Sequence, residues 1–168
     1  MINVAFVKFA GLAGGGTEKY LQTLAANLPK DKFSVDYYYT EAVPLLGNSF
    51  VHPSTDPDRL KYMQDSDVNL IEVSLTARDD QRDSYWVDTD FFDIFDSSKY
   101  HLIQTGRFGY KEFPFCDMHD SIFVDSIHSG GQCVIEKRDN IKATVLLSNS
   151  HVSQWVGNGG DDSKARII

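Results

Sequence analysis

The chain has 168 residues, of which 42% are hydrophobic and 12% aromatic, and its formal net charge is -8. These values suit one folded domain with its own core and exclude a disordered chain, while the negative charge disfavours nucleic acid and anionic lipid as partners. No apolar run approaches the ~20 residues of a membrane span, and the start lacks the basic segment of a signal peptide. Because Cys116 and Cys133 are the only cysteines, the sequence predicts a reducing, cytoplasmic location.

The first half of the chain predicts strands and helices in alternation. "INVAFVKF" (2–9) is typical of a buried strand, and a glycine-rich stretch follows it. Thr17 is the predicted N-cap of a first helix, whose apolar face comprises Leu21, Leu24, Ala25 and Leu28. "FSVDYYYT" (33–40) is the second strand, with alternate tyrosine rings of its trio in the core. After an irregular stretch with three prolines (41–58), a short helix capped by Asp56 and a third strand, "VNLIEVSL" (68–75), complete this half.

The second half continues the same alternation. A polar stretch (76–88) reads as a loop, and a short helix follows with Phe91, Ile94 and Phe95 on one face. The fourth, fifth and sixth strands are "YHLIQTG" (100–106), "SIFVDSIH" (121–128) and "ATVLLSNS" (143–150). The last helix places Val152, Trp155 and Val156 on one face, with Gly157 as its terminator, and "ARII" (165–168) begins a further apolar segment.

This order of elements predicts βαβ crossovers and therefore an α/β fold with a mostly parallel sheet. The expected architecture is one Rossmann-like, three-layer domain spanning residues 1–168. In such folds ligands bind beyond the carboxyl ends of the strands. The functional residues are therefore expected in the loops that start at the predicted strand ends, namely at Lys8, Thr40, Ser74, Thr105, His128 and Ser148.

The three consecutive glycines before the first helix, residues 14–16, predict an anion site. A glycine-rich turn that feeds a helix presents free N–H groups and the positive end of the helix dipole to a phosphate. The P-loop motif is not met, because Thr17 and Glu18 stand where it needs Lys and Ser or Thr. The dinucleotide fingerprint is not met either, since Lys19 takes its last glycine position. Glu41 could still bind a ribose, so a nicotinamide-dependent oxidoreductase stays open.

A sugar-nucleotide diphosphate is the third possibility, and here the sequence resembles a known family. "GGGTEKYLQTLAANL" resembles the first loop and helix of the family-four retaining glycosyltransferases of GT-B fold, whose pattern is Gly-Gly-x-Glu-Arg followed by spaced leucines. Gly15, Gly16 and Glu18 match it, with Lys19 in place of Arg. "ATVLLSNS" and the helix after it resemble the family's later strand and helix through Asn149 and Ser150, and "DSIHSGG" resembles its strand-end histidine at His128.

The resemblance implies the acceptor-side half of a two-domain enzyme that transfers a hexose from a nucleotide diphosphate sugar to a carbohydrate or other acceptor. Gly15 and Gly16 would contact the donor diphosphate, and His128 would contact the reacting sugar. Arg107, which the sequence itself places after the fourth strand, could bind an acceptor phosphate or carboxylate, and Asn149 and Ser150 are weaker acceptor candidates. The resemblance implies no metal and no cofactor beyond the co-substrate. The donor-binding domain would lie outside these residues, so the chain alone is expected to be inactive.

Two other interpretations remain at this stage. The chain could be a stand-alone α/β module that binds a phosphate or a sugar without catalysis. Cys116, His119, His128 and Cys133 could in principle bind zinc, but their spacing matches no standard zinc motif, and packed thiols are the simpler interpretation.

Overall fold

The computed structural model describes residues 1–44, 51–53, 55–77, 87–106, 121–128 and 139–168. The strands in these ranges are β1 Ile2–Val7, β2 Phe33–Tyr39, β3 Ala42–Pro44, β4 Val51–Pro53, β5 Asn69–Glu72, β6 Leu75–Ala77, β7 Val87–Thr89, β8 Leu102–Gly106, β9 Phe123–Ser126, β10 Ile141–Leu146 and β11 Ala165–Ile167. The helices are α1 Gly16–Asn27, α2 Pro57–Gln64, α3 Phe91–Ile94 and α4 Asn149–Gly157. The fold is therefore α/β, as the alternation of elements predicts.

Seven of the strands form one parallel sheet in the order β11-β10-β9-β8-β1-β2-β5. The strand order reverses between β1 and β8, which lie side by side in the middle of the sheet. Because the strands are parallel, their carboxyl ends meet along one edge, called the carboxyl edge below. Such a reversal point opens a crevice at the carboxyl edge, and ligands of doubly wound folds bind there.

Apolar side chains cover both faces of the sheet and give the domain its three layers. One core cluster packs β1 and β2 against α1 and α2 and includes Phe6, Leu21 and Met63. The opposite cluster packs β1, β8 and β9 against Phe91 and Phe95, at and just after α3. Strands buried on both faces are nearly continuous apolar runs, as β1 is.

The tyrosine trio shows the effect of covering both faces. All three rings are buried, whereas alternation alone placed only every second ring in the core. Tyr37 and Tyr39 belong to the cluster on the α1 face, and Tyr38 belongs to the cluster on the α3 face. The prediction of alternate rings in a single core was therefore wrong, because β2 has helices or loops on each side.

Several local predictions need correction. Thr17 is the second residue of α1 and not its N-cap, because Gly15 takes the extended backbone conformation that precedes the helix. The third predicted strand divides into β5 and the separate β6, which pairs with β7 in a small antiparallel sheet. Ile94 and Val156 are exposed, at 42% and 38%, whereas Phe91, Phe95 and Trp155, which are predicted to share their helical faces, are buried. For Ile94 the reason is that α3 is one turn long, so the chain leaves the helix before its face is complete.

Other local predictions are confirmed. Asp56 caps α2, accepting hydrogen bonds from the N–H groups of Asp58 and Arg59. The apolar face of α1 packs on the sheet, with Leu21 and Ala25 fully buried. The final apolar segment becomes β11, the outermost strand beside β10. Among the residues that the structure describes, no helix has the length and hydropathy of a membrane span.

Candidate functional site

The glycine loop, defined here as residues 11–16, joins β1 to α1 at the carboxyl edge. Its first half is held from beneath by two buried side chains. The Gln22 amide donates to the carbonyl oxygens of Gly11 and Ala13, at 2.7 and 3.1 Å, and the Tyr37 hydroxyl donates to the Gly11 carbonyl at 2.9 Å. Gln22 is completely buried. Since these bonds fix the carbonyl side of the loop, its path is set before any ligand binds.

The second half of the loop is open. Gly14, Gly15 and Gly16 are exposed, and a Cβ added to Gly16 would meet no atom within 4 Å. Gly15 is the N-cap of α1 and forms no side-chain cap, so the first N–H groups of the helix have no capping acceptor there. The loop therefore offers an uncapped helix N-terminus at the reversal point of the strand order, with space above it.

Acidic side chains of the chain itself lie next to this opening. The Glu18 carboxylate, in the first turn of α1, lies against Gly15. It is paired with the Lys8 ammonium at 3.5 Å, and both side chains are largely buried, at 16% and 12% exposure. Asp56 approaches Gly14 from the other side, with one carboxylate oxygen 3.3 Å from the position of an added Cβ. A carboxylate is favourable at a helix N-terminus, so Glu18 occupies the electrostatic position that an anion would take.

Lys8 and Gly106 mark the reversal point itself. Lys8 follows the last residue of β1, and Gly106 is the last residue of the neighbouring β8. An added Cβ at Gly106 would lie 3.2–3.4 Å from Leu21, Lys8 and Thr17. The end of β8 therefore packs closely against the first turns of α1 and against the side chain of Lys8.

His128 lies two residues beyond the end of β9, on the same carboxyl edge as the glycine loop. Its ring lies 4.9 Å from the ring of Tyr20 in α1, measured between centroids. Burial lowers the pKa of His128 from its ordinary value, the charge of His151 lowers it further, and Glu18 opposes the shift. Its Nε2 atom is buried and has no hydrogen-bond partner. For the neighbouring Tyr20 the shift is upward: burial raises the pKa of its hydroxyl, and a side-chain hydrogen bond with Ser126 opposes this rise.

His151 is a second imidazole at this edge, in the first turn of α4. It is 7% exposed, and its Nδ1 accepts a hydrogen bond from the Leu147 N–H at 3.4 Å. Its Nε2, like that of His128, is buried without a partner. Ser148, the N-cap of α4, accepts a hydrogen bond from the His151 N–H at 3.2 Å. The start of α4 therefore fixes His151 through both its backbone and its ring.

The sequence-predicted residues divide into three groups. Gly15, Gly16 and His128 lie on the carboxyl edge, the first two at the start of α1 and His128 against Tyr20 of the same helix. Asn149 and Ser150 are the exposed first residues of α4 on that edge. Arg107, like Cys116, His119 and Cys133 of the zinc hypothesis, lies outside the described residues, within which no group of three metal-ligating side chains occurs.

Sequence reasoning missed four residues that shape this site: Lys8 in its paired role, Gln22, Arg59 and His151. Arg59, in the first turn of α2, donates through Nε to the Gln22 side-chain oxygen, so α2 is tied to the glycine loop through one amide. A lysine directly after a buried strand was a usable signal for Lys8. Gln22 and Arg59 gave none, because Gln and Arg are common on helix surfaces and only the tertiary fold shows that they meet.

Comparison with models of known protein families gave no match, and comparison with curated protein sequences gave none either. The α/β fold and the geometry of the carboxyl edge come from the structure alone. The likeness to family-four glycosyltransferases stays a prediction.

Proposed function

We propose that this domain is the acceptor-side, Rossmann-like half of a sugar-nucleotide-dependent glycosyltransferase of the retaining type. The observation that carries the proposal is that two features lie at the carboxyl edge beside the same helix, α1. One is the open helix N-terminus at Gly15 and Gly16, and the other is the strand-end imidazole of His128, which packs on the same helix. Doubly wound folds bind their ligands at this position.

The chemistry of transfer fits these parts. When a glycosidic bond to a diphosphate breaks, the leaving group gains negative charge, and fixed N–H groups aimed at it stabilise the transition state. The bonds from Gln22 and Tyr37 hold the glycine loop in place, so this stabilisation costs no rearrangement of the loop. His128 would contact the reacting sugar, and burial, by lowering its pKa, favours the neutral ring, which can accept a hydrogen bond from a sugar hydroxyl.

Two features limit the affinity of this domain alone for the donor diphosphate. Glu18 must move from Gly15, or share its position with the diphosphate, because both carry negative charge. A few backbone N–H groups also give at best millimolar affinity, about -4 kcal/mol. In the proposed enzyme most of the nucleotide is bound by a second domain. Without that domain the 168 residues are expected to show no glycosyl transfer, since lost positioning alone can remove ~7 kcal/mol of barrier lowering.

The test uses amide NMR of the 168-residue chain with UDP, GDP, ADP and pyrophosphate. The amides of Gly14, Gly15 and Gly16 should shift in the millimolar range, and Gly16→Val should abolish the shifts. Because a Cβ added to Gly16 meets no atom within 4 Å, this variant should keep a melting temperature close to that of the wild type. If every diphosphate leaves these amides unmoved, the donor contact is wrong. A shift with NAD alone would favour the oxidoreductase.

A second candidate function is a sugar-binding module without phosphate recognition or transfer. The observation that favours it is the pair of carboxylates beside the loop, Glu18 against Gly15 and Asp56 near Gly14. Carboxylates repel a diphosphate but accept hydrogen bonds from neutral sugar hydroxyls. In the same titration this candidate predicts shifts with monosaccharides and none with any diphosphate.

A further inference from the structure

The outermost strand on one side of the sheet, β11, presents an apolar edge. Within the part of the chain that the structure describes, β11 pairs with β10 and has no strand on its other side. Its last residue, Ile167, and the following Ile168 are 50% and 58% exposed. An exposed apolar edge strand invites pairing with an extended segment of another chain. We propose that the Arg166 side chain blocks this edge against pairing with β11 of a second copy of this chain.

The pairing of β11 with β10 shows which of its backbone groups face outward. The Ile168 N–H donates to the Leu146 carbonyl of β10 at 3.2 Å. The backbone groups of successive strand residues point to opposite sides, so the N–H and carbonyl of Arg166 also face β10. Those of Ala165 and Ile167 therefore face away from the sheet, where another strand would pair.

Both outward groups of Ala165 are already bonded within the chain. Its N–H donates to the Asp162 carbonyl, at the end of the 3₁₀ turn Asp162–Lys164. Its carbonyl accepts from Nη1 of Arg166 at 2.7 Å, and the same nitrogen donates to the Ser163 carbonyl at 3.1 Å. Since β11 has three residues, Ile167 is the one other residue of the strand that faces outward.

Antiparallel pairing of two copies needs the groups that these bonds occupy. In a pairing centred on Arg166, Ala165 of each copy lies opposite Ile167 of the other, and each such pair exchanges two hydrogen bonds. Every one of these bonds uses the N–H or the carbonyl of an Ala165. The two Arg166 side chains would also lie directly opposite each other, and like charges in that position are destabilising. A pairing centred on Ile167 joins only one residue of each copy, which is too short to hold two chains together.

This role of Arg166 does not depend on the proposed function. The strands β10, β9 and β8 separate β11 from β1 and the glycine loop. Arg166 is exposed, so its bonds to the two carbonyls replace bonds to water and add little to the stability of the fold. The effect of removing its side chain is therefore expected in self-association.

The test is sedimentation equilibrium of the 168-residue chain and its Arg166→Ala variant at concentrations up to about 1 mM. The variant frees the Ala165 carbonyl of each copy for the Ile167 N–H of the other. We expect the wild type to stay monomeric and the self-association constant of the variant to be at least ~10-fold higher. Arg166→Thr, whose new residue suits a strand, should associate in the same way and replaces the alanine variant if that one does not fold.

Two further variants separate strand pairing from general association. Lys99→Ala makes the same change in net charge at an exposed position whose carbonyl bonds to Asn3 of β1, and it should stay monomeric. Ile167→Pro added to Arg166→Ala should restore the monomer, because proline has no N–H to donate to a second copy. The N–H of Ile167 faces away from β10, so this change removes no bond within the sheet.

Amide hydrogen exchange locates the contact. As the concentration of the Arg166→Ala variant rises, exchange of the Ile167 amide should slow, while that of Glu72 in β5, at the other side of the sheet, should not change. The proposal is overturned if the Arg166→Ala variant stays as monomeric as the wild type, or if the wild type itself associates through β11. It is also overturned if the variant associates without slowing exchange at Ile167.

Discussion

The glycine loop and the two histidines, His128 and His151, lie on the same edge of the sheet. They differ in whether their buried polar atoms have hydrogen-bond partners. Beneath the loop, the carbonyl oxygens of Gly11 and Ala13 accept bonds from buried Gln22 and Tyr37. The Nε2 atoms of His128, just beyond β9, and of His151, in the first turn of α4, are buried and have no hydrogen-bond partner. The polar atoms of the first region are paired within the fold, and the Nε2 atoms of the second are not.

The difference indicates which polar groups of this edge stabilise the fold, and the glycine loop is the part with such groups. The hydrogen bonds from Gln22 and Tyr37 stabilise the fold and fix the N–H groups of the loop in place. Substitutions that remove these bonds should therefore lower mainly the free energy of unfolding. The unpaired Nε2 atoms of His128 and His151 contribute no hydrogen bond to the folded state. The substitutions below test this difference, each against a matched control where the chain offers one.

The largest expected effect comes from Gly11→Ala. A Cβ there would collide with the Lys8 carbonyl oxygen and lie 2.7 Å from a ring carbon of Tyr37, so the loop or the strand must shift. We expect a loss of about 3 kcal/mol of unfolding free energy by chemical denaturation. The control is Gly16→Ala, which meets no atom within 4 Å and should be neutral or gain up to ~1 kcal/mol. Equal stabilities of the two variants would show that the loop is not held as described.

Gln22→Ala should cost less, about 2–3 kcal/mol, because it leaves the Ala13 carbonyl and the Arg59 Nε without their partner. Tyr37 still serves the Gly11 carbonyl. Gln154→Ala, at an exposed position of α4, is the matched control and should stay within ~0.5 kcal/mol. The measurement is urea unfolding of both variants. A Gln22 variant as stable as its control would contradict the role of Gln22 in holding the glycine loop.

Glu18→Gln should act on binding. Removing the carboxylate from Gly15 frees the helix N-terminus and the Lys8 ammonium for an anion. Pyrophosphate affinity should rise about fivefold, corresponding to ~1 kcal/mol. Glu72→Gln makes the same change in net charge at the exposed end of β5 and should leave the affinity unchanged. Calorimetric titration measures both, and weaker binding by the Glu18 variant would show that this carboxylate supports the site.

The smallest expected effect is the pH dependence of stability through His128. Burial lowers its pKa in the folded state, so the unfolded chain takes up a proton first as the pH falls. The fold therefore has its full stability above about pH 6.5, where this imidazole is neutral in both states, and it loses stability as the pH falls from there toward the folded pKa. His128→Gln should lose less melting temperature than the wild type between about pH 7.5 and 5.5. Parallel curves for the two proteins would contradict the burial of this ring.

The sequence by itself determined the architecture and one side of the site. Alternating apolar runs and amphipathic helices require a parallel sheet with two covered faces, because each element has only one way to bury its apolar side. The same reasoning placed the glycine stretch and His128 at strand ends, where the parallel direction brings them to one edge. Asp56 was readable as a cap, since an aspartate before Pro57 satisfies local N–H groups without tertiary help.

The tertiary structure alone decided the contacts between distant residues. Nothing local distinguishes Gln22 from a surface glutamine, and its burial depends on a loop carbonyl eleven positions away and on Arg59 in another helix. His151 looks like an ordinary helix residue until the fold brings its Nδ1 to the N–H of Leu147 and buries its ring. The three tyrosines of β2 read as half-buried until both faces are covered. Local pattern fixes which way a side chain points, but only packing decides what it meets, because partners far apart in sequence leave no trace in the pattern around either one.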